Sequence, residues 1–208
     1  MLQTVQKNTS TFFENAIIRY DIPIQRLELL IKLSKFISDQ LKKESFVNLN
    51  FIDENNSKIS QLLQVWSSFA IHYFKLKNIQ SYSGGISVSS VHKNTIKSLQ
   101  KIGFKFQLVD FSHQNSSYLI NSNNFTGTGL VFSKSVYDQT NKSPFIALIV
   151  SENPNTISPY ITDTVKLFHL EYPNPNSFDT NLLKTERYTA LNLQIAAEIH
   201  FLFKWMLL

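Results

Sequence analysis

The stretch from residue 46 to residue 85 constrains this chain more than any other. It opens on Phe46-Val-Asn-Leu-Asn-Phe-Ile52, whose apolar residues fall on both parities towards its end, as in a strand covered on both faces. A polar run, Asp53-Glu-Asn-Asn-Ser-Lys58, interrupts it. From Ile59 to Phe74 the pattern turns helical, with Leu62, Trp66, Phe69, Ala70 and Tyr73 on one face. Ile79-Gln-Ser-Tyr82 reads as a second short strand, closed by Ser83-Gly84-Gly85. Strand, loop, helix and strand at this spacing make a βαβ unit, with parallel strands and a right-handed crossover. A chain organised around such a unit is α/β.

The flanking segments extend that pattern. Asp21 is the expected N-cap of a helix with Pro23 in its first turn, where a missing N–H costs little. Leu27, Leu30, Ile31, Ser34, Ile37 and Leu41 then share one face as far as Lys42–Glu44. Residues 1–44 thus read as a helical extension ahead of an α/β domain over residues 45–208. A shorter helix over Asn94–Ile102 should stop at Gly103, a natural residue just past a helix end. Phe104–Asp110 and Ser117–Ile120 flank the turn-rich His113-Gln-Asn-Ser116 and read as an inserted β-hairpin, extended by Leu130–Ser133. Phe145–Val150 and Val165–Leu170 supply two further strands. A long helix over 181–207 sets Leu191, Ile195, Ile199, Leu202 and Met206 in register.

Composition excludes whole classes of function. With 43% hydrophobic residues and 17 phenylalanines among 208 positions, the chain has ample material for a core and is not disordered. It contains no cysteine, which excludes disulfides, cysteine-based zinc sites, iron–sulfur clusters and thiol catalysis. The net charge of +5 is spread along the chain rather than clustered, so no nucleic-acid partner is expected. No apolar run approaches the roughly 20 residues that span a bilayer, and the first residues lack a leader-like layout. The expectation is a cytoplasmic chain with no membrane contact. His72, His92, His113, His169 and His200 are scattered without paired ligand spacing, so neither a metal nor a cofactor is expected.

In a parallel sheet the crevice beyond the carboxyl ends of the strands is where ligands bind. A loop running from a strand into a helix N-terminus offers backbone N–H groups and the positive end of the helix dipole, a ready anion site. Residues 53–60 form that loop here. The segment from Asn48 to Trp66 resembles the first strand, phosphate loop and helix of the low-molecular-weight protein tyrosine phosphatases. It is most similar to the bacterial branch of phosphatases and arsenate reductases that carries an N-terminal helical extension. The family's loop reads Cys-Thr-x-Asn-Ser-x-Arg-Ser. Tyr82-Ser-Gly-Gly85 is similar to its Tyr-Ser-Gly-Gly-Thr, and the likeness continues through Ile96–Phe104, Phe132-Ser-Lys134 and Tyr137-Asp138. Tyr172-Pro-Asn-Pro175 and Phe178-Asp179 stand where the family has Tyr-x-Asp-Pro. The resemblance implies a three-layer α/β domain whose four parallel strands are ordered second-first-third-fourth.

Residue by residue, the resemblance brings the fold without the chemistry. The family's nucleophile is a cysteine thiolate activated at a helix N-terminus, and position 53 is Asp. Its loop arginine grips phosphoryl oxygens, and position 59 is Ile. Its general acid is an aspartate before proline, and position 174 is Asn, which delivers no proton. Asn56, Ser57 and Ser60 match the family's loop and are read as remnants that hold its shape, with Lys58 at a position that is often basic. Asp53 beside Glu54 opposes a phosphate, while an aspartate at a helix entrance can itself accept the loop N–H groups. It is expected to act as a built-in substitute for the anion. Asp53, Glu54 and Asp179 could converge at the loop mouth on a divalent cation such as Mg²⁺ or Ca²⁺, but no fixed spacing supports such a site.

The expected function is therefore that of a catalytically inactive phosphatase-like binding or regulatory module, holding a protein partner or a phosphorylated ligand. Two alternatives stay open. One is an enzyme, either a residual or divergent phosphatase or a new activity using Asp53; the other is a structural homo-oligomer, a homodimer for instance, resting on the N-terminal helix and the apolar stretch Phe201–Leu208.

Overall fold

Strand β1 (Val47–Asp53) sends its side chains into two different cores, which is why it must lie inside a sheet. Val47, Leu49 and Phe51 join the larger core, and Ile52 joins the smaller one on the opposite face. In this computed structural model, which describes residues 8–123, 125–175 and 181–208 and only the backbone at 125–129 and 181–184, β1 is flanked on both sides. Numbering along the chain, β2 (Ile79–Gly85) and β6 (Phe145–Ile149) pair with it in parallel, and β7 (Thr164–His169) pairs in parallel with β6. The order β2-β1-β6-β7 is second-first-third-fourth among the parallel strands, as the resemblance implied.

The larger core gathers the helices. Helix α3 (Ile59–Tyr73) is buried around most of its circumference, packed between the sheet and helix α5 (Asn181–Trp205). Helices α1 (Thr9–Arg19) and α2 (Ile24–Lys43) pack on α5 and contribute Phe13, Ala16, Leu30, Leu33 and Ile37 to the same core. Phe13 meets the rings of Trp66, Phe69, Tyr73, Phe74 and His200, and the Trp66 indole N–H donates to Asn192 Oδ1 at 2.9 Å. The other face of the sheet is covered by Val136, carried on the loop before β6, and by Ile157 and Ile161, which follow the two 3-10 turns Pro154–Thr156 and Ser158–Tyr160.

Local chemistry moved several boundaries. Helix α1 lies ahead of the expected N-terminal helix and is capped by Asn8, whose Oδ1 accepts the Ser10 N–H at 3.0 Å. Asp21 does not cap α2. Pro23 stands at the cap with an extended ψ of 145°, so the helix begins one residue later at Ile24. Phe46 is exposed and lies outside β1, while β2 continues through Gly85. Helix α4 (Lys93–Ile102) ends at Gly103, whose φ of 122° suits a residue without a Cβ. The expected hairpin is a three-stranded antiparallel sheet, β3 (Lys105–Asp110), β4 (Ser117–Ser122) and β5 (Phe125–Val131), because the extension foreseen at Leu130–Ser133 begins five residues earlier.

Near the end of α5, Leu202 and Phe203 are fully buried, and Phe201 and Met206 pack against the core, leaving Leu207 and Leu208 exposed. Among the described residues no helix is long and apolar enough to cross a membrane.

Candidate functional site

The loop between β1 and α3 is built around Asn56, which is fully buried and held at a φ of 47°. Asparagine tolerates this left-handed conformation better than most residues. Its Oδ1 accepts the Lys134 N–H at 3.0 Å and the Gln61 amide at 2.8 Å, while its Nδ2 donates to Ser60 Oγ at 3.0 Å. Gln61 also donates to the carbonyls of Asn56 and Phe132. Gly85 lets this hub approach the sheet. A Cβ there would lie 2.7 Å from Asn56 N and 2.5 Å from the Ser87 carbonyl oxygen.

Asp53 closes the loop from below. Its side chain accepts the Asn56 N–H at 2.5 Å through Oδ1 and the Ser60 N–H at 3.2 Å through Oδ2. The Ser60 N–H belongs to the first turn of α3, one of the donors a helix leaves without an internal partner. An internal carboxyl thus takes hydrogen bonds that an anion at this helix end would take. Asp53 is only 7% exposed, and burial holds its carboxyl above the ordinary 3.8, outweighing the bonds from Ser60 and Asn56 that pull it down.

Around the loop mouth lies a cavity of about 230 Å³. Asp53, Ile59 and Asn174 all line it, so the three positions that the resemblance sets against the family's nucleophile, arginine and acid meet at one place. Ile59 is 6% exposed and belongs to the larger core as well. Ser57 and Lys58 stand at the same mouth; Asn56 and Ser60 lie behind it as supports. Ser57 Oγ donates to the Ser90 carbonyl at 2.6 Å, tying the loop to the segment ahead of α4. Among the described residues, the charged lining is Asp53, Glu54 and Glu152 against Lys58. Ser151 donates its hydroxyl to Glu54, fixing that carboxylate at the rim.

The comparisons with known proteins bear on the fold. No protein-family model and no curated protein matches the chain by sequence. Solved structures do match. A low-molecular-weight protein tyrosine phosphatase from T. tengcongensis is 13% identical, covering 76% of this chain and 98% of that one at a TM-score of 0.51. Primo-1 is 14% identical over 78% and 99% of the two chains, at a TM-score of 0.51. A low-molecular-weight protein tyrosine phosphatase from Bacillus subtilis is 12% identical over 77% and 97%, at a TM-score of 0.50. The fold is that of the low-molecular-weight protein tyrosine phosphatases.

Within this phosphatase fold, several residues take supporting roles that the sequence did not assign, Ser133 having stood only as part of the matching Phe132-Ser-Lys134. Ser133 Oγ donates to the Asn55 carbonyl at 2.7 Å and accepts the Ser89 N–H at 2.9 Å. Gln61 sits in an apolar run where hydropathy marks it only as an interruption. Its one usable signal is that a polar residue on a helix buried this fully must find partners inside.

Arg26 is a further support. Its Nε donates to Glu198 Oε2 at 3.0 Å, its Nη2 makes an ion pair with the same oxygen at 2.9 Å, and the guanidinium lies 4.6 Å over the Tyr172 ring. Tyr172 donates to the same carboxylate oxygen at 2.5 Å and forms a wall of the cavity. Helix α2 therefore braces the segment that carries Asn174. Phe178 and Asp179 lie outside the described residues. Among the described residues no group of three His, Asp or Glu side chains is placed to hold a metal ion.

Proposed function

We propose that this chain is a non-hydrolytic binding module on a phosphatase fold, one that holds a protein partner through a cationic side chain rather than through a phosphoryl group. The observation that carries this reading is the Asp53 carboxyl, which already accepts the Asn56 and Ser60 N–H groups of the loop. In the family that the sequence resembles, thiolate, arginine and acid act together, and such groups lose far more as a set than any one alone suggests. Asp53, Ile59 and Asn174 supply none of the three roles. Restoring the arginine would also place a charge at a position that now serves the core.

The charge balance favours a cation over a phosphate. Three carboxyl groups line the cavity against one lysine, and like charges at about 4 Å repel by close to 1 kcal/mol even in water. A lysine or arginine side chain presented by a partner meets the opposite sign at Glu54 and Glu152.

The test has two arms. The repurified protein should not hydrolyse p-nitrophenyl phosphate or phosphotyrosine above a heat-inactivated control, with or without Mg²⁺. In fluorescence anisotropy, an arginine-bearing peptide should bind more tightly than its phosphotyrosine counterpart, and Glu152→Gln should weaken that binding. Turnover that disappears in Asp53→Ala would overturn the non-hydrolytic reading. Preference for the phosphopeptide would overturn the cationic one.

A further inference from the structure

A second, larger cavity lies away from the loop, along the outer edge of β2. Its volume is about 420 Å³, within the range of small-molecule sites. Four consecutive β2 residues, 79–82, line it, as they do when a cavity runs beside the open edge of a strand. Gln64 and Ser68 of α3, Ser81, Tyr82 and Thr140 give it a wall of amide and hydroxyl groups. Ile71, Ile79 and Leu130 give it an apolar side.

Among the described residues, Lys134 is the only charged one of this lining. It is 4% exposed, and among the described residues no carboxylate lies within 4 Å of its amine. The Nζ atom rests 4.9 Å from the centre of the Phe132 ring. Its main chain is held firmly, donating N–H to Asn56 Oδ1 at 3.0 Å and accepting the Gly85 N–H at 2.9 Å. Lysines that merely protect the open edge of a sheet do so from solvent. This one is buried beside a cavity with polar walls.

We propose that the cavity beside β2 binds a small hydroxylated organic anion, with the Lys134 ammonium pairing its carboxylate or phosphate and the amide and hydroxyl wall holding its hydroxyl groups. The contrast between the two cavities supports this. Among the described residues, the loop cavity carries three carboxyl groups and one lysine, and the β2 cavity a lysine and no carboxylate. Of the two, the positive one is the place for an anion. Burial holds the Lys134 amine down to about 8, with Asp138 opposing only partly, which is the condition that a bound anion relieves. The proposal does not depend on what the loop cavity holds.

Gluconate and glucose 6-phosphate separate the two head groups on one carbon skeleton. Each is titrated into the full chain by calorimetry, with sodium sulfate at matched ionic strength as the control. At least one should bind saturably, and Lys134→Gln should weaken it tenfold or more. In the unaltered protein, ¹³C-lysine NMR should show the Lys134 pKa climbing from about 8 towards its ordinary 10.5 when that ligand is present. This second readout stands even where Lys134→Gln fails to fold. Binding no stronger than sulfate, or binding that leaves the Lys134 titration unmoved, would overturn the proposal.

Discussion

Replacing Asp53 by alanine leaves the Asn56 and Ser60 N–H groups facing a hole instead of a carboxyl. A buried donor left without its acceptor costs about 1–3 kcal/mol, so two cost roughly 2–6 kcal/mol before any compensation. Part of that returns, because burial already penalises the Asp53 carboxyl and alanine carries no such penalty. The expected net loss is about 2–4 kcal/mol. At roughly 2–4 °C per kcal/mol for a chain of this length, Tm should fall by roughly 5–15 °C. Asp53→Asn retains one acceptor oxygen and should lose about half as much.

Urea unfolding of the three proteins measures this directly, provided that the m-values agree. The pH profile gives an independent check. Since burial raises the folded carboxyl above 3.8, the native state keeps a proton that the unfolded chain has released. The Asp53 contribution is therefore complete below about pH 4 and declines as pH rises through the raised folded value. Asp53→Asn should gain on the unaltered protein across that window. An alanine variant within about 0.5 kcal/mol of the unaltered protein, the range of a neutral surface change, would refute the claim that this carboxyl holds the loop.

Two other perturbations probe the supports. Arg26→Met strands the fully buried Glu198 carboxylate and should cost about 3–5 kcal/mol in urea unfolding, while Arg26→Met with Glu198→Met should recover most of it. Gly85→Ala drives a Cβ to within 2.5 Å of the Ser87 carbonyl oxygen and 2.7 Å of Asn56 N, both backbone atoms. It should cost about 1–3 kcal/mol as an overpacked site, and faster amide exchange at Asn56 would show that the strain reaches the loop hub.

The parallel sheet was legible because its signal is periodic and local. Phe51 and Ile52 point into opposite cores, and apolar residues on both parities announced that before any coordinates. Helix α1 was missed for a different reason. Its stretch, Thr9–Arg19, has only Phe13 and Ala16 as buried apolar residues, so the stripe is too thin to read, and it is the docking on α5 that holds the helix. The cap of α2 was misplaced because Asp21 and Pro23 compete within three residues, and proline's extended ψ decided it.

At the loop, Asp53, Ile59 and Asn174, and Asn56 as a residue that holds the loop's shape, could be found through the resemblance. The partners that reach the loop from elsewhere could not. Ser133 and Lys134 lie 78 residues from Asn55 and Asn56, the residues that they bond, and only the folded chain brings them to within 3 Å. Lys134 reads as an ordinary surface lysine until its burial is known.

The seating of α1 and α2 on α5 bears on how the chain is made. These two helices are made before the α5 surface that they cover, and the Arg26–Glu198 pair spans 172 residues. Phe13, Leu30 and Leu33 must therefore wait in contact with water, or with a chaperone, while the sheet is synthesised between them and their site. A nascent chain stopped before α5 holds an exposed apolar surface at each end of a half-built core. The docking of α1 and α2 is therefore completed only once α5 has been made, and until then these helices are the more open targets for a protease.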